Sequence, residues 1–130
     1  MRLKQVSAFV ENKPGRLAEM LQVLKDAGVN IRALSVADTA DFGVIRMILS
    51  DTEKGLEVLR GAGVTARSSD VLRVEVPDVP GGLLEHVARP LNDGGVSIEY
   101  LYAFVDPAPG KATVVLKADN IEKALRILGG

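Results

Sequence analysis

The segment Asn12-Lys13-Pro14-Gly15-Arg16-Leu17 lies where an apolar strand pattern gives way to a helical one, and the chain contains it twice. The second copy is Asp78-Val79-Pro80-Gly81-Gly82-Leu83. Proline fixes φ for a first helical turn, and glycine lets the backbone approach a neighbour closely. The unpaired N–H groups of such a turn favour anions. The repeated corner therefore predicts a place that can hold the carboxylate of a small ligand.

Composition excludes several classes of function. The chain has 130 residues, of which 47% are hydrophobic and 25% charged, and this suits one domain or two small ones. A net charge of −1 offers no basic face for nucleic acid, and the absence of cysteine removes disulfides, thiolate catalysis and cysteine-ligated metals. No apolar run approaches the roughly 20 residues that span a bilayer. We expect a cytoplasmic protein with no nucleic-acid or membrane partner and no cofactor.

The first half of the chain predicts the element order βαββαβ. Apolar, β-branched runs indicate strands at residues 3–10, 29–36, 44–49 and 63–67. A helix is predicted from Leu17, because apolar residues follow it at helical spacing, and Gly28 is expected to end that helix in the left-handed conformation.

Two local features of this half carry specific expectations. Ile31 and Leu34 are three residues apart in a predicted strand, which indicates a β-bulge or two partly buried faces. Ser50 and Glu53 have the spacing of a capping box, which predicts a second helix that ends near residue 62.

The second half repeats the same order with strands at residues 71–76, 96–102 and 113–116 and helices at Leu83 and Ile121. Gly81 follows Gly15 by 66 positions (81 − 15), and Ile98 follows Ile31 by 67 (98 − 31). Two landmarks at nearly one offset indicate an internal repeat. The one-residue difference falls within a helix that also contains Pro90, so we expect a kink or a wide turn there.

This pattern predicts an α+β protein of two tandem ferredoxin-like βαββαβ modules, at residues 1–68 and 69–130. Each module has an antiparallel sheet with helices on one face, and the linker at residues 68–70 is short enough to join them into one rigid unit. The second copy stops before a fourth strand. The edge left by that missing strand is open, or is covered by a partner chain or by the first copy's strand.

Residues 12–17 followed by Ala27-Gly28-Val29-Asn30-Ile31 resemble the ACT domain, the small-molecule-sensing module of amino-acid metabolism. Residues 78–83 and 95–98 resemble it too, so that the similarity covers nearly the whole chain as a stand-alone tandem pair. The resemblance implies sheets joined edge to edge, with a free amino acid bound where the first-turn loop of one module meets the second strand of its neighbour. It also implies a homodimer.

The resemblance assigns ligand contacts to Asn12, Gly15 and Asn30. An asparagine side chain has donors and an acceptor, so it can meet both a carboxylate and an ammonium group. In the second copy, Asp78 would repel a carboxylate and Ser97 is shorter than Asn30, so the first copy ranks above the second. The ligand is expected on the helix-start N–H groups of residues 15–17. The candidate ligand-binding residues are Asn12, Lys13, Pro14, Gly15, Arg16, Leu17, Asn30, Ile31, Asp78, Gly81, Gly82, Leu83, Ser97, Tyr100 and Tyr102.

Ordinary structural roles compete with each of these assignments. A Pro-Gly corner before a helix can be turn and cap chemistry alone. Asn30 can cap its own turn at the entry to a strand. Tyr100 and Tyr102 are two apart on a predicted strand and so share a face, where they can pack a sheet interface as readily as line a pocket.

No set of residues indicates catalysis. The chain has no nucleophile with an adjacent base, no cofactor cradle and no metal cluster, and His86 is its single histidine. We therefore expect a non-enzyme. It is either a sensor that binds an amino acid and signals to an enzyme of amino-acid metabolism, or a regulatory subunit that docks on a biosynthetic enzyme and binds no ligand.

Overall fold

The computed structural model describes residues 1–38, 42–105 and 108–129. The predicted α+β class with antiparallel strand pairing is confirmed. The strands are β1 (Arg2–Glu11), β2 (Ile31–Asp38), β3 (Phe42–Leu49), β4 (Thr65–Pro77), β5 (Ile98–Ala103) and β6 (Lys111–Ala118). The helices are α1 (Arg16–Asp26), α2 (Thr52–Gly61), a π-helical segment (Leu84–Ala88) that continues into α3 (Arg89–Asp93), and α4 (Ile121–Ile127).

The chain divides into two compact units. The first unit is Lys4–Ser69, with strand order β2-β3-β1-β4. The second unit is Met1–Leu3 together with the chain from Asp70 onward, with strand order β1-β4-β6-β5. The residue ranges 1–68 and 69–130 remain a prediction for the module boundaries.

In the first unit, both helices pack on one face of the sheet. Val6 pairs with Met47 and Ala8 pairs with Ile45 across β1 and β3, and side chains two apart on a strand point to the same face. These four side chains are buried with residues of both helices. The helical members of that core are Met20, Leu24, Leu56 and Leu59. Of the two explanations offered for the spacing of Ile31 and Leu34 in β2, the bulge is confirmed by a register shift between Ile31 and Ala33.

The second unit repeats this arrangement with one additional residue in its first helix. The N–H of Arg89 donates to the carbonyl of Leu84, which is the i to i−5 bond of a π-helix. A π-turn takes up one residue more than an α-turn, so the predicted wide turn is confirmed at the place where the two repeats change offset. The bulge also recurs, between Ile98 and Tyr100.

Two local predictions were wrong. Residues 68–70 are not a linker, because β4 runs without a break from Thr65 to Pro77 and joins the strands that were predicted separately at residues 63–67 and 71–76. The cap of α2 is Asp51, whose carboxylate accepts from the N–H of Lys54 at 3.1 Å. Ser50 was predicted to be that cap, but its hydroxyl accepts from the N–H of Asn30 instead.

The place of a fourth strand in the second unit is taken by the first residues of β1. The N–H of Arg73 donates to the carbonyl of Met1 at 2.7 Å, and the amino terminus donates to the carbonyl of Arg73 at 3.3 Å. The side chain of Arg2 also pairs with Asp70 and Glu122. This edge was expected to be open, or to be covered by a partner chain or by the first copy's strand. The structure shows the third of these, since the start of β1 lies beside β4 in the second unit.

Membrane insertion through a helix finds no support in the described ranges. None of the helices there combines the length and the apolar character that spanning a bilayer requires.

Candidate functional site

The first corner (residues 12–17) and the second corner (residues 78–83) have the same backbone geometry. Gly15 has φ +88° and Gly81 has φ +80°, the left-handed region that glycine tolerates. The same three hydrogen bonds recur 66 positions apart. In the first corner, the N–H groups of Lys13, Arg16 and Glu19 donate to the carbonyls of Glu11, Lys13 and Gly15, respectively. In the second corner, the N–H groups of Val79, Gly82 and Glu85 donate to the carbonyls of Pro77, Val79 and Gly81, respectively.

These bonds change the expected anion contacts. The N–H of Arg16 donates to the carbonyl of Lys13 at 3.2 Å, so it is not available to donate to a ligand's carboxylate, as had been expected. The start of α1 has no side-chain cap. The N–H groups of Leu17 and Ala18 lie in its first turn, where an α-helix supplies no acceptor. They therefore remain the donors at this helix start.

A hollow of about 320 Å³, here named the corner hollow, lies beside the first corner. Its polar wall comes from Glu11, Asn12 and Lys13, and its apolar wall comes from four side chains and one glycine. The apolar members are Val10, Leu17, Val36, Gly43 and Ile45. The structure thus brings three predicted site residues, Asn12, Lys13 and Leu17, to one concave surface.

The corner hollow includes residues that the sequence interpretation missed. Glu11 was given no role, since the predicted strand ended at residue 10, and Val36 was interpreted only as a strand residue. The register of β2 on β3 pairs Val36 with Ile45, which places both at the hollow. A signal was present, because the acidic Glu11 shortly precedes the basic Lys13 and Arg16 at the corner.

Ion pairs organise the charges of the first corner. Oε2 of Glu11 lies 3.1 Å from Nζ of Lys13, and Oε1 lies 3.7 Å from Nε of Arg16. Arg16 also contacts Glu19 at 3.0 Å. The hydrogen bond from Lys13, and then the charges of Lys13 and Arg16, hold the pKa of Glu11 below its ordinary value. Glu11 therefore stays ionised at neutral pH.

Arg16 lines a second concavity, here named the helix–turn cavity, of about 400 Å³. It lies between α1 and the turn that joins α2 to β4. Val10 and Glu11 border both this cavity and the corner hollow, so the end of β1 separates the two.

Asn30 and Ile31 lie at the other end of the first unit's sheet. Ile31 pairs with Leu49, whereas Glu11 pairs with Phe42 at the opposite end of β3, about 20 Å away at the usual rise of a strand. Asn30 and Ile31 border a separate groove of about 440 Å³ beside the end of α1. One copy of this unit therefore does not bring Asn12 and Asn30 to the same ligand.

The hydrogen bonds of Asn30 match the strand-entry alternative. Its side-chain oxygen accepts from the N–H of Ile31 at 2.9 Å, and its backbone exchanges bonds with Ser50. Ser97, its counterpart, exchanges the same pair of bonds with Asp119, through the carboxylate and the N–H of Asp119. This position joins the start of one strand to the end of another in both units.

In the second unit, the surface around the second corner is more apolar than that around the first. Asp78 and Gly81 are exposed, and Gly82 is buried against the carbonyl of Pro77. Side chains of Val79, Leu83 and Leu84 are 58%, 38% and 46% exposed.

Tyr100 and Tyr102 share one face of β5, as predicted. Their rings stack with centroids 6.5 Å apart and planes inclined by 22°. Tyr102 is buried and Tyr100 half-buried. Their role in binding a ligand remains a prediction.

Comparison with known proteins agrees with the fold. The sequence profile of the ACT domain pair matches residues 1–128. The Bacteroides thetaiotaomicron protein BT0572 has a structure with TM-score 0.92 at 37% identity, over 99% of this chain and 88% of that one.

Two more distant structures share the fold. The ligand-free regulatory subunit of aspartate kinase from Thermus thermophilus gives TM-score 0.66 at 16% identity, over 97% of this chain and 89% of that one. A putative C-terminal regulatory domain of aspartate kinase from Porphyromonas gingivalis gives TM-score 0.56 at 14% identity, over 99% of this chain and 92% of that one. A search of curated protein sequences gave no match. With the profile matched from residue 1 to residue 128, the chain belongs to the ACT domain pair family.

Proposed function

We propose that this protein is a regulatory sensor that binds a free amino acid in the corner hollow of its first unit. The observation that carries the proposal is the composition of that hollow. Donors and charges from Glu11, Asn12 and Lys13 face the apolar side chains of Leu17 and Val36 across about 320 Å³. An amino acid has a charged end and a side chain, so it matches both walls.

The proposed pose follows from the charges. The ligand's carboxylate lies at the start of α1, near the N–H groups of Leu17 and Ala18 and the ammonium of Lys13. Its ammonium group lies near the carboxylate of Glu11, with the amide of Asn12 as an additional partner. Its side chain lies against Leu17 and Val36. This wall favours an aliphatic amino acid over a charged one.

A neighbouring module is proposed to complete the site with the start of its second strand, at Asn30 and Ile31. We assign that module to a second copy of the chain, because β2 is an edge strand in the order of the first unit. The assembly is then a homodimer. Binding would favour one arrangement of the two copies, and a partner enzyme of amino-acid metabolism would respond to that arrangement.

A thermal-shift screen of the twenty amino acids tests the proposal. A ligand present at about 100 times its Kd adds roughly 2.7 kcal/mol to the free energy of unfolding. We expect one or a few aliphatic amino acids to raise Tm, and Lys13→Ala to abolish the shift. Val79→Ala, the matched change in the second corner, should leave the shift unaltered. A flat response to all twenty would favour the alternative, a regulatory subunit that binds no amino acid.

A further inference from the structure

The helix–turn cavity has walls of a different character from those of the corner hollow. Its lining includes the acidic residues Glu11 and Glu19 and the aromatic residues Phe9 and Phe42. Met20 is buried and forms part of the wall on α1. The volume of about 400 Å³ lies within the range of small-molecule sites.

The charges that border this cavity favour a cation once Arg16 has moved away. Of the described residues in its lining, Glu11 and Glu19 carry carboxylates and Arg16 carries a guanidinium, and Lys13 pairs with Glu11 from outside the cavity. Helix α2 ends at Gly61, beside the cavity residues Ala62 and Gly63, and the carbonyl end of a helix carries partial negative charge. Aromatic faces attract cations as well, and Phe9 already has the guanidinium of Arg67 at 5.3 Å from its ring centroid.

The side chain of Arg16 borders this cavity, and one of its donors has no hydrogen-bond acceptor among the described residues. Its Nη1 donates to Glu19 at 3.0 Å, but its Nε lies 3.7 Å from Glu11, beyond hydrogen-bond distance. That Nε is shielded from solvent and has no hydrogen-bond partner within the described chain. The side chain as a whole is 42% exposed, so it can swing into solvent. A competing cation would therefore displace it at small cost.

We propose that the helix–turn cavity is a second ligand site, specific for an organic cation with a primary amine or guanidinium head and an apolar body, and that Arg16 occupies it in the absence of that ligand. The head of the ligand binds Glu11 and Glu19. Its body lies against Phe42 and Met20. Glu11 borders both concavities, so this site shares one carboxylate with the proposed amino-acid site, whereas Glu19 borders the helix–turn cavity and not the corner hollow.

Two isosteric probes, phenethylamine and 3-phenylpropionate, test the proposal by NMR titration of the full chain. The amides of Gly63 and Thr65 report on this cavity, since both residues border it and neither borders the corner hollow. We expect saturable shifts with the amine and binding at least about tenfold weaker with the acid, because the two heads carry opposite charges. Arg16→Gln should tighten amine binding by about threefold, the scale of an exposed ion pair.

Glu19→Gln should weaken amine binding, and Glu57→Gln, on an exposed position of α2 outside the cavity, should not change it. Any one of the following results would overturn the proposal. They are binding of the acid as tightly as the amine, weaker amine binding in Arg16→Gln, and no shift at Gly63 and Thr65 with either probe. Amide shifts confined to Asn12 and Lys13 would likewise contradict it, because they would assign the amine to the corner hollow.

Discussion

The two corners of this protein have the same backbone conformation but different side chains. Both have a left-handed glycine and the same three hydrogen bonds. Around the first corner lie the charged side chains Glu11, Lys13, Arg16 and Glu19, whereas the counterparts in the second are Pro77, Val79, Gly82 and Glu85. The shared features are those that the strand-to-helix corner needs in order to form. The differing side chains are free to serve different purposes, which is why we place the amino-acid site in the first unit alone.

The largest expected effect is that of a substitution at Gly82 in the second corner, whose counterpart in the first corner is Arg16. A Cβ at Gly82 would overlap the carbonyl oxygen of Pro77, which is backbone and cannot move aside as a side chain can. We expect Gly82→Ala to lower the free energy of unfolding by about 2–3 kcal/mol, the usual cost of overpacking. Chemical denaturation of the full chain measures this loss.

Arg16→Ala is the matched control for that substitution. It removes an exposed ion pair and should change stability by no more than about 1 kcal/mol. Equal losses in the two variants would mean that the corners are under the same steric constraint, contrary to the difference described here.

The next effect tests what the corners have in common. Gly15 and Gly81 both have positive φ, and an alanine Cβ would meet no other atom within 4 Å at either position. The cost of Gly15→Ala and of Gly81→Ala is then the backbone conformation alone, about 1–2 kcal/mol for each. Asparagine tolerates this region better and should recover part of the loss. A difference of more than the experimental error between the two alanine variants would show that the corners are not equivalent.

The smallest effect is a pH dependence that only the first corner should have. The pKa of Glu11 lies below its ordinary value of 4.5 when the chain is folded, because Lys13 and Arg16 stabilise the carboxylate. Its contribution to stability is therefore present above pH 4.5 and is lost as the pH falls through the folded pKa. NMR titration of the Glu11 side chain should show this lowered pKa, and Lys13→Ala should raise it. An unchanged titration in Lys13→Ala would contradict the assigned cause.

Sequence reasoning predicted the fold where the pattern repeats. The 66- and 67-residue offsets located the duplication, and the spacing of Ile31 and Leu34 predicted the bulge in β2. The one-residue change of offset predicted a wide turn, which is the π-helical segment. Failures arose where local composition misled. Ser68-Ser69-Asp70 has the polar composition of a linker, but residues with exposed sides can continue a strand as well as interrupt it.

The candidate site was predictable only in part. The first corner could be located because Pro-Gly chemistry is local, and the structure places Asn12, Lys13 and Leu17 at one hollow. The distance between Asn12 and Asn30 was not predictable from their residue types, since it depends on how β1 and β2 align along β3. Glu11 was missed for the same reason. Its ion pairs depend on the path of the chain after the strand ends.

The pairing of Met1 with Arg73 has a practical consequence for dissecting the protein. A fragment that begins at Asp70 would retain the core of the second unit but would lose the residues that lie beside β4. The N–H and carbonyl of Arg73 would then be exposed at an unprotected strand edge, which promotes self-association. Supplying a short donor peptide with the sequence of residues 1–3 and their neighbours would restore the missing pairing, so the isolated repeat is a natural system for measuring strand complementation.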